Sequence, residues 1–236
     1  MRPNGDVIEF TATAPGSTST EYEAEGELRD RLAVALSSGT FIGWRYITAG
    51  DDAELYDTNG RLLSIKNRGG VTQTLTYGSN SRVESVADDF GHELTFEWDS
   101  STPPRLTSVV LPGSGSGEIA FAYGSYNNLT SVTYPDSTER HYLYELTHSS
   151  QRNLLTGIED ESEVRYASWG YGSGNRVTSS EHADAVDAYS FTYNPDGSRT
   201  VLDPLGKTVT YTTQLIAGQR RYTGSSSQCE SCGGEH

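Results

Sequence analysis

Residues 54–77 read ELYDTNGRLLSIKNRGGVTQTLTY. Short apolar-rich runs alternate with turn residues, which predicts strand, turn, strand, turn, strand. Tyr56 and Asp57 close the first strand. Asn59-Gly60 follows as a tight-turn pair, because Asn and Gly reach positive φ at little steric cost. Leu62, Leu63 and Ile65 open the second strand, and residues 67–70 (NRGG) turn the chain again. Leu75 and Tyr77 then alternate with Thr74 and Thr76, the period of a half-buried strand.

The same plan returns along the chain. Leading strands occur at residues 61–65 (RLLSI), 82–86 (RVESV), 105–109 (RLTSV), 128–132 (NLTSV), 154–158 (LLTGI) and 176–180 (RVTSS), the last two being weaker copies. Their first aliphatic residues fall at 62, 83, 106, 129, 155 and 177, a drifting period with slack in the turns. An alternating aromatic strand completes each copy: Leu75/Tyr77, Leu94/Phe96/Trp98, Ile119/Phe121/Tyr123, Tyr142/Tyr144, Val164/Tyr166, Tyr189/Phe191/Tyr193 and Val209/Tyr211. Leu106 and Val109 are three apart, which breaks the strand period. A bulge and a crossing between faces both reconcile this. One such hairpin cannot bury its aromatic face alone, so copies are expected to stack edge to edge. About fourteen short strands result, and a twisted sheet of that width must curl. The expected fold is all-β, a curved antiparallel sheet of repeated β-hairpins.

Composition agrees. Hydrophobic residues make up 34% of the 236, with 25 Gly and 15 Tyr, which suits short strands and a thin apolar layer better than a thick core. The net charge of −15 disfavours contact with a phosphate backbone, so no nucleic-acid partner is expected. The plainer consequence of that acidity is solubility. No apolar run is long enough to span a membrane. Residues 1–20 are polar and hold no signal-peptide apolar region.

Before the array, Val7 to Phe10 reads as one arm of a hairpin closed by Pro15-Gly16. Residues 21–38 fit two periods: Leu28, Leu32 and Leu36 suit a helix, whereas Leu32, Val34 and Leu36 suit a strand. The strand is preferred, because residues 37–39 (SSG) form a turn and Phe41 to Ile47 supplies a partner with Trp44 and Tyr46 on one face. The chain thus divides into an N-terminal hairpin region over 1–53, a repeat array over 54–222 and a flexible Cys-containing tail over 223–236. It reads as a piece of a longer protein.

These residues resemble the Rhs, or YD-repeat, family. Its motif is a Tyr-Asp pair, a Gly-Arg-Leu after a short turn, a small residue and an aliphatic, then a Gly turn and a closing aromatic. Tyr56, Asp57, Gly60, Arg61, Leu62, Ser64 and Ile65 match it closely. Tyr77, Trp98, Tyr123, Tyr144 and Tyr193 supply closing aromatics. Asp recurs after an aromatic at Trp98-Asp99, whereas the other copies read Tyr-Gly, Tyr144-Glu145 and Tyr193-Asn194. The resemblance covers residues 40–222 well and the first 40 loosely. It implies a non-enzymatic role for the repeats and no cofactor. In bacterial Rhs and toxin-complex proteins, such arrays wind into a hollow β-shell around a C-terminal toxin domain. Related shells in teneurins serve adhesion. The implied partners are the rest of an Rhs polypeptide and its toxin, and the implied location is secreted or at the bacterial surface. The chain is too short to close a shell, and lacks the segment that ends the array and a toxin domain. The rival expectation is a carbohydrate-binding or adhesion module whose exposed aromatics stack on glycans.

Other motifs weigh less. Cys229-x-x-Cys232 has the spacing of half a zinc ribbon or a redox pair, but His236 is the only further ligand nearby, so a reduced pair in a frayed end is the simpler reading. Residues 203–206 (DPLG) resemble the Asp-Pro-x-Gly element near the family's self-cleavage site and equally an ordinary turn. Residues 57–60 (DTNG) lack the further oxygens of a calcium loop. His92, His141, His148 and His182 share no spacing, and no nucleophile–base pair stands out.

Overall fold

The computed structural model describes residues 8–12, 21–24, 29–113 and 117–229. Within them the chain is all-β, with two one-turn 3-10 segments, Ser173–Asn175 and Ala183–Ala185. Two compact units, Met1–Glu118 and Ile119–His236, follow one another.

Among the described residues, the first unit carries ten strands. These are β1 (Phe10–Ala12), β2 (Glu21–Ala24), β3 (Arg31–Ser37), β4 (Thr40–Ile47), β5 (Ala53–Asp57), β6 (Leu62–Lys66), β7 (Thr72–Tyr77), β8 (Val83–Asp88), β9 (Glu93–Trp98) and β10 (Leu106–Val110). Each pairs antiparallel with the next. The second unit repeats this plan. Its strands are β11 (Glu118–Tyr123), β12 (Leu129–Thr133), β13 (Glu139–Leu143), β14 (Gly157–Glu159), β15 (Arg165–Tyr171), β16 (Val177–His182), β17 (Tyr189–Tyr193), β18 (Arg199–Leu202), β19 (Lys207–Ile216) and β20 (Gln219–Cys229). They too form an unbroken antiparallel meander.

Five of the leading strands, β6, β8, β10, β12 and β16, begin with a bulge, which explains the broken period. Leu106 faces Trp98 and Ser108 faces Glu97, so Thr107 is an extra residue on its strand. Leu63, Glu84, Thr130 and Thr178 are extra at the same place in their ladders. The added residue returns the next aliphatic to the face of the first and bends the strand.

The core is thin. Among the described residues, Val132 and Ala167 are the apolar side chains classed as buried, beside the polar Asp30, Ser108, Thr156 and Ser198. Backbone ladders and contacts along the sheet therefore carry the cohesion.

Four expectations need correcting. The first hairpin joins β1 to β2, with Phe10 opposite Ala24, so its second arm is β2 rather than a strand within residues 1–20; Val7 and the expected turn at Pro15-Gly16 lie outside the described residues. The leading strand expected over 154–158 shortens to β14, because residues 148–154 wind into turns through Gln151 N–H to His148 O and Leu154 N–H to Gln151 O. β18 was not expected at all; the turn at 194–198 sets it apart, with Gly197 N–H bonded to Asn194 O. β20 runs through residues 223–229, which were read as tail. The strand choice for Leu32, Val34 and Leu36 holds, with β3 laddered to β4 from Arg31 opposite Ile47. The boundary drawn at 53/54 falls at the start of β5, in a ladder continuous with β4. No helix among the described residues is long and apolar enough to cross a membrane.

Candidate functional site

The motif residues build a lock that recurs along the sheet. It starts at the turn. The Asp57 carboxylate accepts the N–H groups of Asn59 (2.8 Å) and Arg61 (2.9 Å) and pairs with Arg61 Nε at 2.7 Å. Gly60, at φ +82°, closes that turn onto Asp57 O, where a side chain would be strained. Asp99 repeats the arrangement, accepting from Ser101 and Arg105. Asp88 does so with Phe90 and His92. The first residue of the motif, Tyr56, donates its hydroxyl to Glu54. Burial and that carboxylate push the Tyr56 phenol well above its ordinary range.

The arginine then lies on the closing aromatic. The Arg61 guanidinium sits 5.2 Å from the Tyr77 ring, Arg82 5.6 Å from Trp98 and Arg176 5.0 Å from Tyr193. The tip of each ring bonds the carbonyl of the first aliphatic residue. Tyr77 Oη donates to Leu62 O (2.6 Å), Trp98 Nε1 to Val83 O (2.9 Å) and Tyr193 Oη to Val177 O (3.0 Å). That carbonyl sits beside the bulge, so the ring supports the ladder where it is most disturbed. Tyr123 ends β11 opposite Leu129 and opens the Gly124 turn, the same register position. Removing one tip should cost about 0.5–1.5 kcal/mol. Tyr193→Phe is therefore expected to lower the urea midpoint measurably with an unchanged slope, and a midpoint equal to the parent's would show that the bond is idle.

In the fifth repeat the structure chooses a different ring. Val164 and Tyr166 were expected to complete it, but Tyr171 donates to Leu155 O at 2.7 Å and precedes the Gly172 turn. Tyr166 instead lies against the His182 ring and is 53% exposed. The alternation singles out the wrong aromatic, because Tyr166 is the extra residue of a bulge in β15, where Ile158 faces Ala167 and Glu159 faces Arg165.

The Tyr144-Glu145 copy departs in another way. Glu145 does not bind its own turn. It makes a two-pronged pair with Arg165, 2.9 Å on each side, and accepts the Thr156 hydroxyl at 2.8 Å. Arg165 and Thr156 hold the Glu145 carboxyl down at about 2. Beside it, the fourth repeat opens a cavity of about 210 Å³. Gly124, Ser125, Tyr126, Asn128, Tyr144 and Arg152 are among its walls. Burial raises the Tyr144 phenol above its usual range.

The turn carboxylates set an acid limit. The Arg61 backbone N–H holds the Asp57 carboxyl low, the His92 ring Asp88, the Ser101 hydroxyl Asp99, the Thr138 hydroxyl Asp136 and the Ser198 hydroxyl Asp196. A group whose pKa is lower folded than unfolded adds stability above its unfolded value and loses it as pH falls through the folded one. Stability from these groups should be level from about pH 7 to 5 and fall between about pH 4.5 and 2. Denaturation midpoints across that range measure this, and midpoints that rise steadily towards pH 2 would contradict it.

The other motifs come out as structure. Residues 203–206 form the β18–β19 turn, with Gly206 N–H on Asp203 O and the Asp203 side chain accepting from Leu205 and Lys207. Asp57 is engaged by its own turn, and no cluster of three or more metal-binding side chains occurs among the described residues. The histidines are held apart: His92 bonds Asp88, His141 approaches Glu139, and His148 bonds Ser150. Cys232 lies outside the described residues, so the Cys229–Cys232 motif does too. Sequence reasoning missed Asp30, a buried carboxylate that accepts Tyr46 Oη (2.9 Å) and Ala49 N–H (3.1 Å). Nothing in its surroundings in sequence signals burial.

No family model matches the chain. No curated protein matches either. Among solved structures, the chain is similar to the crystal structure of TcdB2-TccC3-Cdc42 at 12% identity and a TM-score of 0.39, over 94% of this chain and 15% of that one. It is also similar to the Photorhabdus luminescens Tc holotoxin pore, at 12% identity and a TM-score of 0.40, over 95% of this chain and 14% of that one. The chain therefore spans about a seventh of the length of those it matches.

Proposed function

We propose that this chain is a stretch of wall from an Rhs-type shell, a non-catalytic sheet that encloses a toxin domain carried by the same polypeptide. One observation carries the reading. The same turn, arginine stack, bulge and aromatic tip recur along both meanders, so the motif residues are engaged in holding neighbouring strands together. A sheet whose distinctive residues mostly serve its own continuity is suited to be a barrier. The partner is then the remainder of the polypeptide, and the setting is delivery from a bacterium to another cell.

The encoding locus tests this. Further repeats, a variable C-terminal domain toxic when expressed alone and a small adjacent gene that neutralises it are the expected arrangement. An array leading into no toxic domain would overturn the proposal. A second reading, glycan binding, draws on the exposed rings of Tyr126, Tyr166 and Tyr222, at 53%, 53% and 63% exposure. A glycan array is its test, with Tyr222→Ala expected to abolish any signal that depends on those rings.

A further inference from the structure

The fourth repeat has the spacing of the others but not the lock. Leu129 to Tyr144 matches Leu62 to Tyr77 and Val83 to Trp98, fifteen residues in each case. Asn128 stands where Arg61 and Arg82 stand, and its turn closes in the same way, Gly124 N–H to Asn128 O matching Gly78 N–H to Arg82 O. The Asn128 side chain is too short to lie on the Tyr144 ring. It turns away and donates to Arg152 O at 3.0 Å. Among the described residues, the Tyr144 hydroxyl meets no hydrogen-bonding partner, unlike those of Tyr77, Tyr171 and Tyr193. The fifth repeat also lacks the arginine, having Leu154 there, and yet Tyr171 keeps its bond. The idle hydroxyl thus belongs to the fourth repeat in particular, and both Asn128 and Tyr144 line the 210 Å³ cavity.

Arg152 lines that cavity as well. Its guanidinium carbon lies over the Tyr126 ring, 4.1 Å from the centroid. Stacking uses the face of the guanidinium and leaves its N–H edge to a ligand. In a chain of net charge −15, Arg61, Arg105, Arg140 and Arg165 each hold a carboxylate, whereas Arg152 pairs with none among the described residues. A guanidinium edge and a phenol hydroxyl around one cavity offer donors to an anion, and a carboxylate suits the planar fork of arginine. Leu146 and the Tyr126 ring supply an apolar wall for a short carbon chain. The volume is below the range of about 300–1,000 Å³ for drug-sized ligands, so the occupant is small.

We infer that the cavity of the fourth repeat is a binding site for a small organic carboxylate, held by the Arg152 guanidinium and the Tyr144 hydroxyl in the place left open by Asn128. The site does not depend on what the wall encloses. The carboxylate belongs either to a free acid or to the C-terminus of a peptide.

Amide chemical shifts of the labelled 236-residue chain should be followed while hexanoate, hexanamide, N-acetylleucine or inorganic phosphate is added. Hexanoate is expected to shift residues 124–130 and 144–152 with a dissociation constant of about 0.1–10 mM, the range of a single small charged group. Hexanamide, which lacks the charge, should bind at least about tenfold more weakly. N-acetylleucine binding tighter than hexanoate assigns the site to a peptide terminus, and weaker binding assigns it to a free acid. Arg152→Gln and Tyr144→Phe should each weaken hexanoate at least about tenfold. Asn128→Arg is the complementary variant: it restores the missing stack, fills the cavity and abolishes hexanoate binding. It should also raise the melting temperature by about 1–4 °C, which separates a filled site from a damaged fold. Equal binding of acid and amide, phosphate binding tighter than hexanoate, no shifts at about 20 mM, or an Asn128→Arg variant that still binds would each overturn the inference.

Discussion

Gly43→Ala is expected to unfold the first unit's sheet between β4 and β5. Gly43 holds a φ of +145°, a conformation that side chains rarely adopt. It lies at the β3–β4 bulge, where Leu36 faces Phe41 and Ala35 faces Gly43, and on its other side it faces Asp57. A Cβ built there stands 1.8 Å from Tyr56 O and 2.9 Å from the Asp57 backbone. Those are backbone atoms held in a ladder, so no side chain can move aside. Either the β4–β5 pairing opens or Gly43 changes φ and breaks the bulge. Strain of this kind combined with lost ladder bonds costs about 3–5 kcal/mol, the upper end for a single substitution. The consequence reaches the motif itself, since Tyr56 and Asp57 open the array. Urea denaturation followed by tryptophan fluorescence measures it, because Trp44 is next to the site and faces Tyr56 across the ladder. A midpoint within error of the parent's would mean that the close approach of Gly43 to Tyr56 is wrong.

The second large effect is expected at Asp30, which is 3% exposed. Its carboxylate joins the start of β3 to β4, through Tyr46 Oη at 2.9 Å, and to the following turn, through Ala49 N–H at 3.1 Å. Asp30→Ala takes the acceptor away and leaves the half-buried Tyr46 hydroxyl without it, while the Ala49 N–H belongs to an exposed residue that water can reach. A poorly solvated donor left without a partner costs about 1–3 kcal/mol, and with Ala49 open to water a total of about 1–3 kcal/mol is expected. Asp30→Asn keeps one oxygen and should cost less than Asp30→Ala. Tyr46→Phe removes one donor together with its need and should cost about 1 kcal/mol. That order, Ala worse than Asn and Asn near Phe, is the result to look for in denaturant midpoints. Equal values for Asp30→Ala and Asp30→Asn would show that the hydrogen bonds contribute nothing and that the site is only packed.

The repeats were legible before any coordinates because they are local. Arg61 to Ile65 and Leu75 to Tyr77 declare strand periods, and Asn59-Gly60 declares the turn between them. Antiparallel neighbours joined by short turns then leave the meander as the simplest pairing. The bulges were half visible. The three-residue step from Leu106 to Val109 demanded an irregularity, but only the pairing of Leu106 with Trp98 and Ser108 with Glu97 shows that Thr107 is the added residue. The role of the arginine was invisible, since a stack on a ring sixteen residues ahead, as Arg61 makes on Tyr77, leaves no periodic trace.

Where sequence reasoning failed, the cause lies in how strands slide against one another. Tyr166 had the right alternation and Tyr171 had the right position, and the difference is made by the bulge that makes Tyr166 the extra residue between Arg165 and Ala167. β18 escaped notice because the Asn194–Ser198 turn carries a strand too short to show a period. Asp30 looked like any surface acid, because burial is decided by β3 and β4 closing around it. The sequence by itself determined the class of fold, most of the turns and the meander order, all of which depend on neighbours along the chain. Only the tertiary structure decided which ring meets which carbonyl and where one ring meets none. Those contacts depend on bulge and register, and a one-residue shift in pairing moves every side chain to the other face.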